Sequence, residues 1–152
     1  MKAVVASNGV ATVVDIPQPE PQPHELLVKV SATALNRADL LQVSGNYPPP
    51  PGAPETLGLE LAGEVVAVGE QVGDAFAVGD RVMSLVPGGS YAEYAAVHAE
   101  HTLNVPDEMS DTDAGATMEA FLTAYTNMFD MGRLVAGETM LIHAGASGVG
   151  LA

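Results

Sequence analysis

The chain contains no cysteine. It therefore forms no disulfide, offers no thiolate nucleophile and has no sulfur ligand for a metal. The absence of cysteine fits a reducing compartment, and we expect a cytoplasmic protein.

Positive charge is scarce, since 5 lysines and arginines face 19 aspartates and glutamates, for a net charge of -14. Phosphate backbones and anionic membranes repel such a chain, which predicts no nucleic-acid partner and no membrane partner. No apolar run is long enough to span a bilayer. The opening residues, MKAVVASNGVATVV, lack a cleavage pattern and predict a first strand, not a signal peptide.

Short apolar segments separated by glycine and proline fill the first two thirds of the chain. Asn8-Gly9 is a strong hairpin signal between two valine-rich runs. The proline-rich connector over residues 17–23 cannot pair in a sheet. Further strands are predicted over residues 25–34, 60–69, 81–86 and 91–97. This spacing predicts a small barrel or a pair of packed sheets.

The hydrophobic period changes near residue 115. Ser110 and Asp113 resemble a capping box, and Gly132 is expected to end the helix that follows. The apolar side chains at helical spacing are Met118, Phe121, Leu122, Tyr125, Met128 and Phe129. Residues 139–143 predict a short buried strand before a glycine loop. We therefore predict one domain over residues 1–115 and the start of a second over 116–152.

Five motifs occur in an order that resembles a known family. They are NRADLLQVSGNYPPPPG, LGLELAGEV, VGDRV, GGSYAEY and AGASGVG. Together they resemble the zinc-free, zeta-crystallin-like NADPH quinone oxidoreductases of the medium-chain dehydrogenase/reductase superfamily. The YPPPPG loop is similar to the p53-inducible type, and the resemblance extends over essentially the whole chain.

The resemblance implies a β-rich GroES-like barrel followed by the first part of an α/β Rossmann domain, truncated after its glycine loop. It also implies hydride transfer from NADPH to a quinone or similar electrophilic carbonyl. The partner would be a small quinone or enone, and the full-length family member a homo-oligomer. With about half of a family member's length, the 152-residue chain alone is expected to be inactive.

Two residues are implied as catalytic. Asn36 would line the active cleft, and Tyr47 would lie on the nicotinamide-ribose side, while Thr123 would lie near the nicotinamide. From the residues alone, Asn36 could be a turn anchor and Tyr47 could pack on its prolines, and Thr123 fits a helix-surface residue equally well.

The predicted cofactor loop consists of Ala146, Ser147, Gly148, Val149 and Gly150. Small residues after a strand let backbone N–H groups approach a pyrophosphate. Without the family pattern the same run would also fit a plain turn.

No metal is expected. Zinc-dependent members of the superfamily carry a Gly-His-Glu motif, and this chain has Gly58-Leu59-Glu60 in the corresponding stretch. His98 and His101 have no cysteine partner and are interpreted as surface histidines. Glu60 is then a structural acid, satisfied by a neighbouring amide.

Two alternatives stay open. One is a 2-alkenal or enoyl-thioester reductase of the same superfamily. The other is a non-enzymatic GroES-like binding or structural module.

Overall fold

A two-stranded ribbon opens the fold. The computed structural model describes residues 1–152. Strands β1 (Lys2–Ser7) and β2 (Val10–Asp15) pair antiparallel, joined by a tight turn at Asn8-Gly9. The predicted hairpin is confirmed.

A five-stranded antiparallel sheet forms the body of the domain. Its strands are β3 (Glu25–Ala32), β4 (Glu60–Val68), β5 (Arg81–Leu85), β6 (Tyr94–His98) and β7 (Thr102–Asn104). They lie in the order β6-β3-β4-β5-β7. Four of the five were predicted with slightly different ends, and the short β7 was not. Isolated bridges at Ala3–Ala92 and Val5–Thr56 fasten the ribbon to this sheet region.

The sheet buries apolar side chains on both faces of its central strands. The larger cluster consists of Leu26, Val28, Leu61, Val65, Val82, Val86, Ala95 and Val97. The smaller cluster consists of Ala62, Met83, Val105, Ala114 and Met118. Because neighbouring strand residues point to opposite faces, Leu61 and Ala62 belong to different clusters. The second cluster attaches the helical end of the chain to the sheet.

Four short helices complete the fold. They are α1 (Arg37–Val43), α2 (Asp111–Ala114), α3 (Met118–Tyr125) and α4 (Gly148–Leu151). The Ser110 side chain accepts from the Asp113 N–H at 3.1 Å, which confirms the predicted cap. Helix α3 continues as a π-helical segment, Thr126–Met131, that ends at Gly132 as predicted. None of these helices has the length and apolar content that crossing a membrane requires.

The helix predicted from the apolar residues between 118 and 129 forms, but most of these side chains are exposed. Met118 is buried, but Phe121 and Tyr125 are 54% and 55% exposed. Met118, at the start of α3, packs in the smaller core cluster, and the aromatic side chains later in the helix are left uncovered.

The strand predicted over residues 139–143 does not form. Leu141 is 81% exposed and Ile142 is 50% exposed. An apolar run becomes a strand only when a neighbouring backbone pairs with it, and residues 139–143 make no backbone hydrogen bond to another segment.

Candidate active site

The buried carboxylate of Glu60, on the first residue of β4, joins two distant parts of the chain. The Asn36 side-chain amide donates to Glu60 Oε1 at 2.8 Å. The backbone N–H of Glu119, at the start of α3, donates to Glu60 Oε2 at 3.0 Å. Glu60 is only 1% exposed, and a buried carboxylate needs such donors. The interpretation of Glu60 as an acid satisfied by neighbouring amides is confirmed.

A second buried carboxylate holds Asn36 from the other side. Asp39 Oδ2 accepts from the Asn36 backbone N–H at 2.7 Å and from the Tyr91 hydroxyl at 2.7 Å. The Tyr91 hydroxyl oxygen also lies 2.9 Å from the carbonyl oxygen of Ala34, so its single proton is shared between two acceptors. The other oxygen, Asp39 Oδ1, is buried without a hydrogen-bond partner. Asn36 is therefore fixed at both its backbone and its side chain. We call Asn36, Asp39, Glu60, Tyr91 and Glu119 the acidic network.

The acidic network carries negative charge without a matching cation. The chain's ion pairs, Lys2–Asp15 and Arg81–Asp111, both lie elsewhere. Burial, followed by the negative charges of Glu60 and Asp39, raises the pKa of the Glu119 carboxyl. Burial, followed by the hydrogen bond to Asp39, raises the pKa of the Tyr91 phenol strongly. The network therefore favours protonated forms of both groups.

The structure brings some of the predicted site residues together. Asn36 lies within the acidic network. Thr123 is half-buried and lies four residues after Glu119 on the same helix, so the two share one face of α3. Tyr47 is 45% exposed, beyond the end of α1, and makes no hydrogen bond to Asn36 or to any other part of the network.

The glycine loop fits a phosphate group. The Ser147 side chain accepts from the Gly150 N–H at 3.1 Å, while the N–H groups of Gly148 and Val149 make no hydrogen bond within the chain. Two free N–H groups at one turn suit an anionic oxygen. A Cβ on Gly150 would lie 2.5 Å from the Ala144 carbonyl oxygen, so the loop folds back tightly on this glycine. Helix α4 contacts α3, which places the loop beside the helix that carries Thr123.

The metal position of zinc-dependent relatives has an unsuitable donor set here. Leu59 is buried and cannot ligate, and both oxygens of Glu60 accept hydrogen bonds. His24 lies beside the two predicted surface histidines. The centre of the His98 ring is 4.6 Å from that of His24 and 5.0 Å from that of His101. No group of three histidine or acidic side chains in the chain is arranged to hold a metal ion.

The family model for the alcohol dehydrogenase GroES-like domain matches residues 22–107, more than half of the chain. The chain belongs to this family. It is a member of the medium-chain dehydrogenase/reductase superfamily, as the motifs indicated.

Relatives of this GroES-like domain carry two kinds of name. The Mus musculus synaptic vesicle membrane protein VAT-1 homolog is 44% identical over 134 residues, which cover 88% of this chain and 33% of the relative. The Lama guanicoe quinone oxidoreductase is 42% identical over 141 residues, which cover 91% of this chain and 42% of the relative. The chain thus spans less than half the length of these relatives.

A solved structure supports the same relation over nearly the whole chain. The quinone oxidoreductase from Thermus thermophilus, also solved in complex with NADPH, superposes with a TM-score of 0.81 at 33% identity. The match covers 99% of this chain and 48% of that one. The chain therefore has the fold of the N-terminal portion of such proteins.

Sequence reasoning missed three members of the acidic network in this GroES-like domain: Asp39, Tyr91 and Glu119. A local signal existed for one of them, since Asn36 and Asp39 have the spacing of a helix N-cap and its third helical residue. Tyr91 and Glu119 reach the network only through long-range folding, and no local pattern identifies them.

Proposed function

We propose that this chain is the substrate-binding part of an NADPH-dependent quinone oxidoreductase that works without zinc. The observation that carries the proposal is the acidic network. In it, both oxygens of Glu60 accept hydrogen bonds from amide donors, and the neighbouring Leu59, where zinc-dependent relatives have a histidine, is buried. The identity with the Lama guanicoe quinone oxidoreductase supports the substrate class. A quinone is already electrophilic, so its reduction does not depend on a Lewis acid.

The chain's own residues bind and orient in this proposal. When bound, NADPH supplies the hydride for the reduction. The N–H groups of Gly148 and Val149 would hold its pyrophosphate, with Ala146, Ser147 and Gly150 shaping the turn around it. Asn36, held by Glu60 and Asp39, would border the substrate cleft, and Thr123 would face the nicotinamide. Tyr47 would lie on the side of the nicotinamide ribose.

A substrate panel tests the proposal. The longer protein that contains this chain would be assayed for NADPH oxidation with 1,4-benzoquinone, a 2-alkenal and an enoyl thioester. We expect the highest kcat/KM with the quinone. Preference for the alkenal or the thioester would replace the quinone by the alternative substrate class.

A non-enzymatic binding module is the second candidate function. It is favoured by the sequence similarity to the VAT-1 homolog, whose name describes a vesicle membrane protein. An NADPH titration of the longer protein separates the two, because only the reductase needs a saturable cofactor site.

The remaining features of the reductase proposal are a homo-oligomer, a cytoplasmic location and no nucleic-acid or membrane partner.

Tyr47→Ala is expected to weaken NADPH binding in the longer protein by about tenfold, or ~1.4 kcal/mol, and to lower quinone turnover. The unfolding temperature should stay that of the parent, because Tyr47 is 45% exposed and makes no hydrogen bond. Fluorescence titration with NADPH measures the affinity, and Tyr47→Phe is the matched control that keeps the ring. Parental affinity and turnover in Tyr47→Ala would remove Tyr47 from the site.

A further inference from the structure

Among the carboxyl groups of the acidic network, only that of Glu119 has no partner within the chain. Its backbone N–H donates to Glu60, but its side chain makes neither a hydrogen bond nor an ion pair. It is half-buried, so solvent or a ligand can still reach it. Asp39 and Glu60, in contrast, are almost fully buried and engaged with donors.

Geometry places Glu119 beside the residues proposed to border the substrate. Glu60 contacts both Asn36 and the N–H of Glu119, so these two residues lie on either side of one carboxylate. Thr123 lies one helical turn further along the same face of α3. The cleft proposed between Asn36 and Thr123 therefore has Glu119 at its edge.

We propose that Glu119 donates the proton that completes reduction of the substrate. This inference rests on the proposed function. Hydride addition delivers two electrons and leaves a negative charge on one quinone oxygen. The Glu119 O–H bond breaks, an O–H bond forms at that oxygen, and the resulting carboxylate regains its proton from water. One hydride and one proton together convert the quinone to the hydroquinone, so no other reactant is needed.

The surroundings of Glu119 favour its protonated form. Glu60 on β4 and Asp39 on α1 are the charged groups that act on it, and both are acidic. Tyr91, hydrogen-bonded to Asp39, is also an acid and brings no positive charge. Burial and these two carboxylates raise the pKa of Glu119 above its ordinary value of 4.5. A general acid benefits from a pKa nearer the working pH.

Titration of the 152-residue chain by carboxyl-carbon NMR tests the proton-holding property without any cofactor. Glu119→Gln identifies the Glu119 signal by its loss. We expect the Glu119 carboxyl to titrate at higher pH than the ordinary glutamate value of 4.5. Titration of Glu119 at or below that ordinary value would overturn the proposal.

Stability supplies a readout that a purely supporting residue would not give. The raised pKa means that ionisation of Glu119 is less favourable in the folded than in the unfolded chain. Its contribution is fully present below the unfolded value of 4.5 and is lost as pH rises through the folded pKa. Glu119→Gln should abolish this decline, so its unfolding temperature at neutral pH should exceed the parent's. A lower unfolding temperature at neutral pH would mean that Glu119 serves the fold and would contradict the proposal.

Kinetics of the longer protein test the chemical role. Glu119→Gln should lower kcat with a quinone by about 100-fold with little change in KM, the usual cost of losing a general acid. The parent's loss of kcat at high pH should disappear in this variant, and Glu119→Asp should recover part of the rate. Glu108→Gln removes the same charge from an exposed site and should behave as the parent.

The outcomes separate the two proposals. An active parent with equal kcat in Glu119→Gln and Glu108→Gln overturns the proton donor and leaves the quinone reductase intact. A parent that reduces no quinone overturns the reductase, and the donor role with it, whatever the NMR titration gives.

Discussion

Gly58→Ala is expected to lower the free energy of unfolding by about 3 to 5 kcal/mol, the sum of backbone strain and overpacking. Gly58 has φ of +96°, a conformation that alanine rarely adopts. A Cβ there would also lie 2.1 Å from Ser90 Oγ and 2.4 Å from the Tyr91 ring. Because Tyr91 donates to Asp39, displacement of its ring would also loosen the hold on Asn36.

Gly79→Ala separates the two causes. Gly79 has nearly the same φ, +97°, but a Cβ there would meet no atom within 4 Å. Its cost should be that of strain alone, about 1 to 3 kcal/mol. Urea unfolding of both variants gives the comparison. Equal losses would show that the packing of Gly58 against Ser90 and Tyr91 contributes nothing.

Glu60→Ala is expected to lower the free energy of unfolding by about 2 to 4 kcal/mol. The change removes the acceptor for the Asn36 amide and for the Glu119 N–H, and both donors would be left partly buried without a partner. It also opens a cavity, since Glu60 is 1% exposed. Removal of a negative charge beside Asp39 and Glu119 offsets only part of this loss.

Glu64→Ala is the matched control for Glu60→Ala. Glu64 is exposed on the same strand, so its loss should change the free energy of unfolding by no more than about 0.5 kcal/mol. Amide hydrogen exchange at Glu119 should accelerate in Glu60→Ala and stay parental in Glu64→Ala. Parental stability and exchange in both would mean that Glu60 does not join β4 to α3.

The strands were predictable because their signals are local. Alternation along β3 and the Asn8-Gly9 turn need no knowledge of the partner strand. Helix α1 escaped prediction because its seven residues carry no buried apolar stripe, and Leu40 is 71% exposed. The run over residues 139–143 has the composition of a strand but no neighbouring backbone to pair with.

The candidate site could be predicted only in part. Asn36 was identified through the family motif, and Glu60 through its neighbour Leu59. Their contact spans 24 residues of sequence, and the contact of Glu60 with Glu119 spans 59. Such pairs arise because β4 places Glu60 between the N-cap of α1 and the first turn of α3, which no local pattern specifies. The roles of Asn36, Tyr47 and Thr123 in the site stay predictions.

Quinone reduction by metal-depleted protein tests the central claim most directly. The longer protein would be dialysed against a chelator, its zinc measured by elemental analysis, and NADPH oxidation followed with 1,4-benzoquinone. Leu59, the absence of cysteine and the engaged oxygens of Glu60 predict that turnover continues with essentially no zinc bound. About one zinc per chain, with turnover that is lost on depletion and restored by added zinc, would contradict the account.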